Sequence, residues 1–177
     1  MCLYLVDKTR DHLRARLCAA LSQNQPGTLL IHAIHDTPGV NGGFSDRMKG
    51  VVSAFLVAIA TKRSFCILHS YPTSLLAVLQ PAVVDWRCPP TSHRSRTVFH
   101  MIDTEAPFET TNFSVTEEVV VIYSNMYAFK HLLRNVVLGP ALQRLGLTHD
   151  HDPPAIFGCI FSLLFTCLLY TSPSPRD

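Results

Sequence analysis

The sequence lacks the features that mark several protein classes. Charged residues make up only 16% of the 177 residues and are scattered, with a formal net charge of +2, so no nucleic-acid partner is expected. The six cysteines include no Cys-x-x-Cys pair and no zinc-finger spacing, which excludes the common zinc modules. No internal repeat is present. The apolar share of 47% argues against disorder and suffices for one domain with a sizeable core.

Long apolar runs are also missing. Met1–Val6 is too short for the apolar region of a secretory signal, and no small-residue cleavage pattern follows it. The longest apolar stretch, Ala155–Tyr170, has sixteen residues, whereas a membrane-spanning helix needs about 20. Pro153 and Pro154 precede it and favour a buried helix, with a membrane span as the alternative. The sequence therefore shows no targeting signal and no membrane tether.

The C-terminal end of the sequence is not expected to belong to the folded domain. The last eleven residues, Cys167 to Asp177, resemble the translation of a sequencing-library adapter. Segments of that origin carry no information about the fold. We expect residues 1–166 to form a single, incomplete α/β domain and residues 167–177 to be a non-native tail.

Two features bear on the cellular compartment. Cys66 lies in an apolar strand pattern and is interpreted as a buried apolar side chain, whereas Cys88, in a loop, is free to pair in an oxidising compartment. Asn112-Phe113-Ser114 is a formal N-glycosylation acceptor, although such tripeptides often arise by chance. Residence in a luminal compartment is compatible with the sequence but not established by it.

Apolar periodicity predicts alternating strands and helices. Strands are predicted at Thr28–Ile34, Ser64–His69, Thr97–Ile102 and Glu118–Tyr123. Helices are predicted at Thr9–Gln23, Ser45–Lys62, Ser74–Leu79, Tyr127–Asn135, Pro140–Leu145 and Ala155–Phe165. Because strand, loop, helix and strand alternate, we predict an α/β fold that is doubly wound, with a mostly parallel sheet.

The loop before the second predicted helix is the first candidate binding site. Glycine lets backbone amides approach a ligand, a helix N-terminus favours an anion, and arginine adds a permanent charge. We therefore expect Gly42, Gly43, Ser45, Asp46 and Arg47 to contact a diphosphate, with Ser45 capping the helix. A tight turn without a ligand is the alternative. Neither the Walker A motif nor the dinucleotide fingerprint is matched.

Other polar residues suggest further roles. Asp46 is the one candidate for a catalytic base, against the alternative of a loop-stabilising ion pair, and no catalytic triad can be assigned from spacing. His32, His35 and Asp36 follow or end the first predicted strand, where ligands bind in open α/β sheets. We name His32 and His35 as possible cleft residues, with a packed, hydrogen-bonded histidine as the alternative.

Two polar segments are judged on their surroundings. His149–Asp152 alternates histidine and aspartate, but it lies in an evident loop without a distant third ligand, so no metal site is predicted. Arg87, Arg94 and Arg96 form a basic loop that suits either a nucleotide or plain solvent.

One segment resembles a known family. Gly43-Phe-Ser-Asp-Arg-Met-Lys-Gly50, with the helix after it, resembles the Gly-x-Gly-Asp-Arg-x-x-Gly opening of fucosyltransferase-like glycosyltransferases. Ser45 replaces the second glycine of that motif. Later stretches agree with the family in order: Pro81–Trp86, Ser124-Asn125, Leu145-Gly-Leu147 and Phe157–Phe165. The likeness covers most of residues 43–165.

This resemblance implies the N-terminal, acceptor-side half of a two-domain GT-B-like enzyme. Such an enzyme moves fucose from GDP-fucose to a hydroxyl of a glycan or protein, without a cofactor or required metal. Gly43 and Arg47 would face the cleft between the domains, and this half alone would be inactive. The implied partners are a nucleotide-sugar donor and a glycan or glycoprotein acceptor, in the Golgi or ER lumen. A noncatalytic glycan- or nucleotide-binding domain derived from such an enzyme is the alternative.

Overall fold

A computed structural model describes residues 8–34, 42–70, 73–89 and 95–167. Its helices are α1 Lys8–Leu21, α2 Phe44–Ala60, α3 Pro107–Thr110, α4 Phe129–Arg134, α5 Leu138–Arg144 and α6 Pro153–Leu164. Its strands are β1 Leu29–Ala33, β2 Ser64–Leu68, β3 Leu79–Pro81, β4 Arg96–Met101, β5 Val119–Ser124 and β6 Phe165–Cys167. A short 3-10 turn covers Leu75–Ala77.

A four-stranded parallel sheet organises the chain, with the strand order β2-β1-β5-β4. The chain passes from β1 to β2 on one side and later adds β4 and β5 on the other side. This reversal beside β1 is the place where open α/β sheets usually bind ligands, at the carboxyl ends of the strands. The short strands β3 and β6 form a separate antiparallel pair. The predicted α/β class with a mostly parallel sheet is confirmed.

Helix α2 forms the centre of the core. It packs across β1, β2 and β5, while α1, α4, α5 and α6 contact its other sides. Every residue from Val51 to Ile59 is buried, which explains why all of them except Ser53 are apolar. Phe55 and Leu56 are fully buried, and each such side chain stabilises the fold by roughly 1.5 to 3 kcal/mol.

The opposite face of the sheet carries a smaller apolar cluster that includes Ile31, Cys66 and Val119. Cys88 packs against this cluster and forms a disulfide with Cys66, with 5.0 Å between the two Cα atoms. The prediction that Cys66 is a buried side chain in an apolar strand is confirmed. Its bond to Cys88 was not predicted, because the segment after β3 returns alongside β2 and sequence spacing does not reveal that return. The expectation that Cys88 pairs with a cysteine is confirmed.

Most predicted elements have structural counterparts, and the differences have local causes. The predicted helix Ser74–Leu79 shrinks to the 3-10 turn, because the chain turns into β3 at Leu79. Strand β3 then pairs with β6, and the Trp86 indole donates to the Leu164 carbonyl at 2.7 Å. Helix α6 contacts α1 and α2. Within the described residues, no helix has the length and apolar character needed to cross a bilayer.

Candidate functional site

The carboxyl ends of β1, β2 and β5 meet the N-terminus of α2 at one edge of the sheet. A pocket of about 230 Å³ opens there. Its walls include Phe44, Arg47, His69, Thr73, Ser74 and Leu75. The pocket thus combines one permanent cation, one imidazole and two hydroxyls with apolar walls, which is the composition typical of a small-molecule site.

The start of α2 differs from the sequence prediction at Ser45. The helix begins at Phe44, Gly43 is its N-cap residue, and the exposed Ser45 lies in the first turn. The Asp46 carboxylate accepts the Gly43 backbone N–H at 3.2 Å. The side chain that hydrogen-bonds the backbone at the helix start is therefore Asp46, whereas Ser45 was expected to do so. Ser45 as a cap is therefore wrong, since the helix starts earlier than the apolar pattern indicates.

The hydrogen bond from Gly43 to the Asp46 carboxylate requires a glycine at position 42. Its φ is +66°, in the left-handed region that favours glycine. A Cβ at Gly42 would also lie 2.8 Å from the Asp46 Oδ2 atom. The glycine therefore serves the internal cap.

Asp46 is engaged within its own turn. Lys49 Nζ donates to its Oδ1 atom at 2.8 Å, and the Gly43 N–H donates to Oδ2. The Lys49 and Gly43 hydrogen bonds lower the pKa of the Asp46 carboxyl, so a negative charge is held at the start of α2. The amide of Gly43 is thus directed at Asp46, and the ion-pair alternative for Asp46 agrees with this geometry.

Arg47 and His69 share the pocket. Arg47 follows Asp46 in the first turn of α2, and its backbone N–H donates to the Gly43 carbonyl at 3.1 Å. Its charge contributes to lowering the pKa of His69, which places the guanidinium within electrostatic reach of the imidazole. Of the residues predicted to contact a phosphate, Arg47 is the one that lines the pocket and lies near the His69 imidazole.

His32 lies beneath α2 and connects two strands. Its ring is fully buried; Nε2 donates to the Ser124 carbonyl at 2.8 Å, and Nδ1 is 2.8 Å from His69 Nε2. Burial lowers the pKa of His32 from 6.5 to about 4, although the bond to Ser124 opposes the shift. His32 is the packed histidine of the alternative reading, yet it contacts a pocket residue directly.

His69 follows β2 and is 8% exposed. Burial, then His32, then Arg47 lower the pKa of His69 from 6.5 to about 2. Both imidazoles are therefore neutral near pH 7. Because a carbonyl only accepts, His32 must carry its proton on Nε2, so its Nδ1 accepts from His69 Nε2–H. This sequence of bonds leaves His69 with an acceptor nitrogen at Nδ1.

Gly50 makes the histidine arrangement possible. A Cβ at this position would overlap the Ser124 carbonyl oxygen and lie 2.7 Å from His32 Nε2. The helix approaches the sheet closely because Gly50 has no side chain. It belongs to the motif that resembles the fucosyltransferase-like family, so the same motif that carries Arg47 also makes room for His32.

The Ser124-Asn125 pair stabilises the neighbouring strand ends. Asn125 Nδ2 donates to Asp103 Oδ1 at 2.6 Å, while its Oδ1 accepts the Asp103 backbone N–H at 2.8 Å. Ser53 of α2 donates to the Met126 carbonyl at 2.7 Å. These bonds fix the loop after β5 against α2 and β4.

The remaining sequence candidates have local roles or fall outside the description. His151 Nδ1 accepts the Thr148 backbone N–H at 3.2 Å, and Asp152 caps α6 by accepting the Ala155 N–H. Across the described residues, no group of three His, Cys, Asp or Glu residues could hold a metal ion. Arg87 forms a two-bond pair with Asp85. His35, Asp36 and Arg94 lie outside the described residues.

Sequence reasoning missed two site residues, His69 and Gly50. His69 ends the second predicted strand just as His32 lies on the first, so its position at adjacent carboxyl strand ends was an available signal. Gly50 gave the weaker signal of a glycine inside a helical pattern, which indicates close packing.

Comparison with known proteins gives a likeness of fold. No protein-family model matches the sequence, and no curated protein matches it either. Among solved structures, the chain is similar to the fucosyltransferase FUT1 of Arabidopsis thaliana, determined as a point variant in complex with GDP. The TM-score is 0.58 at 14% identity, over 93% of this chain and 46% of FUT1. The chain thus shares its fold with part of that structure and spans about half of its length.

Proposed function

We propose that this chain is the N-terminal part of a glycosyltransferase that moves fucose from GDP-fucose to a hydroxyl of a glycan or protein. The observation that carries this proposal is the shared pocket of Arg47 and His69 at the carboxyl edge of the sheet, in a fold similar to a GDP-bound fucosyltransferase. The order of the motifs from Gly43 to Phe165 supports the same family.

The size of the pocket supports a role in holding part of a larger ligand. Its volume of about 230 Å³ lies below the roughly 300 to 1,000 Å³ of sites that enclose a whole drug-sized molecule. A sugar ring or a diphosphate fits that space, whereas a complete nucleotide sugar does not. A second part of the protein would hold the remainder, in keeping with a chain that covers 46% of FUT1.

Arg47 is the residue we assign to the diphosphate. A guanidinium binds phosphate oxygens through two parallel N–H bonds and stabilises charge that develops on a leaving phosphate. Gly42, Gly43 and Asp46 support this position by fixing the first turn of α2. The ionised Asp46 beside it holds the phosphates away from the Gly43 amide, so the anion is placed on the Arg47 side of the turn.

The test compares Arg47→Ala with wild type in the product of the complete gene. Binding of GDP-fucose is measured by calorimetry and transfer by labelled fucose on a panel of glycans. Losing charged hydrogen bonds should weaken binding about tenfold or more. Arg87→Ala is the matched control, because Arg87 pairs with Asp85 and does not line the pocket. Wild-type protein that neither binds nor transfers would refute the proposal, and unchanged Arg47→Ala would remove this residue from it.

A noncatalytic glycan- or nucleotide-binding domain is the second candidate. The observation in its favour is that Asp46, the predicted base, is committed to Lys49 and Gly43 with a lowered pKa. Binding of GDP-fucose without transfer to any acceptor would support this candidate.

We further propose that the protein is made in the secretory pathway, as Golgi or ER glycosyltransferases are. Disulfides persist in such oxidising compartments, and Cys66–Cys88 is one. Asn112 is exposed and begins the glycosylation tripeptide. Expression in eukaryotic cells should give a band that glycosidase shifts, and Asn112→Gln should remove the shift. Cytosolic protein without glycan would contradict this localisation.

A further inference from the structure

We propose that His69 Nδ1 is the hydrogen-bond acceptor for a hydroxyl of the sugar ring that occupies the pocket, beside the anion held by Arg47. This inference rests on the proposed function and names the chemistry of one side of the same site. It goes further by assigning a binding role to a residue outside the motif that carries the family resemblance.

The first step is the fixed proton arrangement. The Ser124 carbonyl accepts from His32 Nε2–H, and His32 Nδ1 accepts from His69 Nε2–H, with both distances 2.8 Å. A neutral imidazole has one donor and one acceptor, so two bonds in sequence fix both tautomers. His69 therefore acts toward a ligand only as an acceptor at Nδ1.

The second step is the choice of ligand group. A neutral acceptor gains from an O–H or N–H donor and gives no attraction to a phosphate, which has only acceptor oxygens at full ionisation. Arg47, in the same pocket, takes the phosphate. A ligand that places a hydroxyl-bearing ring next to a phosphate satisfies both residues, and a sugar joined to a diphosphate has this chemistry.

The third step is the rigidity of the acceptor. His32 is fully buried, and Gly50 lets α2 lie directly above it, so the ring that supports His69 has no room to turn. An acceptor held in one orientation discriminates between positions of a hydroxyl, because the ring cannot turn to restore the hydrogen-bond geometry with a misplaced donor. His69 thus offers selectivity for the sugar, whereas Arg47 offers affinity for its phosphate.

The experiment uses two substitutions that separate the two ring nitrogens of His69. Asparagine can place an acceptor where Nδ1 lies but is too short to reach His32. Glutamine can place a donor where Nε2 lies but has no acceptor at the Nδ1 position. A binding role for Nδ1 predicts that His69→Asn retains ligand affinity and His69→Gln loses it. A purely structural role predicts the reverse order, because glutamine keeps the buried bond to His32.

The protein from the complete gene is titrated with GDP-fucose and with GDP, and its acceptor KM is measured. We expect His69→Gln to weaken binding of the sugar three- to tenfold, as for one lost neutral hydrogen bond, with GDP affinity unchanged. A loss for GDP-fucose identifies the donor sugar, and a rise only in acceptor KM identifies the acceptor sugar. Equal losses in both variants, or no loss in His69→Gln, would overturn the inference.

A second measurement needs no substitution. Nitrogen-15 NMR of histidine-labelled protein should show His32 and His69 as neutral Nε2–H tautomers at pH 7. An Nδ1–H tautomer at His69 would overturn the inference even if GDP-fucose binds. Wild-type protein that binds neither GDP nor GDP-fucose would instead refute the proposed function, and the inference with it.

Discussion

Gly50 of α2 lies against the backbone carbonyl of Ser124, at a distance that leaves no space for a methyl group. This contact joins the central helix to β5 at the point where His32 donates to the same carbonyl. The fit between helix and sheet therefore depends on the absence of one side chain.

Replacing Gly50 with alanine should destabilise the protein by about 3 kcal/mol or more, because the clash is with backbone that no rotamer change relieves. Urea denaturation measures the loss. Gly43→Ala, at the N-cap of the same helix, is the control, since the nearest atom outside the adjacent residues, Asp46 Oδ2, would lie 3.9 Å from its Cβ. Similar stability in the two variants would contradict the packing described for Gly50.

Acid should weaken the fold before the carboxylates titrate. The pKa of His32 and of His69 lies below that of an unfolded histidine, so the unfolded chain binds more protons. Stability from these two residues is complete above about pH 6.5 and is lost as the pH falls, down to about pH 4 for His32 and about pH 2 for His69. The expected slope is about 1.4 kcal/mol per pH unit for each histidine.

Unfolding free energies at pH 7, 6 and 5 measure this slope. His32→Gln should reduce it by about half, because one of the two buried rings no longer binds a proton on unfolding. A stability that is flat between pH 7 and 5 would argue against neutral, buried imidazoles.

Loss of the Cys66–Cys88 disulfide should cost about 3 kcal/mol, since it closes a loop with a sequence separation of 22 residues. Cys88→Ser and chemical reduction should lower the urea midpoint alike. Cys18→Ser is the control, because Cys18 is a half-buried free thiol. No effect of reduction on wild-type protein would show that the bond does not form.

Neutralising Asp46 should strengthen anion binding. Asparagine can still accept the Gly43 N–H but removes the negative charge at the start of α2. We expect GDP to bind about two- to fivefold more tightly, and fucose transfer to survive. Asp85→Asn, a similar change outside the pocket, should alter neither quantity. A fall in transfer of about a hundredfold or more in Asp46→Asn would instead identify a catalytic base.

Regular elements were predictable here because each carries its own periodicity. The apolar spacing of α2 and the β-branched run of β5 can each be recognised within a few residues. The alternation of strands and helices along the chain then predicts the parallel sheet. Glycine and charge also indicated a helix start at Gly42–Arg47, whereas contact between these residues and a diphosphate stays a prediction.

The parts that sequence did not reveal depend on contacts between distant segments. Cys66 meets Cys88 only because the chain returns along β2 after β3. His32 meets His69 because β1 and β2 are parallel neighbours, 37 positions apart in the sequence for these two rings. The bond from Gly43 to Asp46 was missed for a smaller reason, since the serine at position 45 and the aspartate at position 46 both suit a helix start and only geometry decides between them.

The segment that contains Trp86 and Cys88 runs beside one edge of the sheet and protects that edge from pairing with another molecule. Strand β2 is one of the two edge strands of the four-stranded sheet, and its Ile67 N–H donates to the Trp86 carbonyl at 2.9 Å. Exposed strand borders invite pairing between separate molecules, which leads to aggregation. The Cys66–Cys88 disulfide covalently holds the Trp86 segment beside β2. The oxidised chain is therefore less prone to add a strand from another molecule at the β2 edge of the sheet.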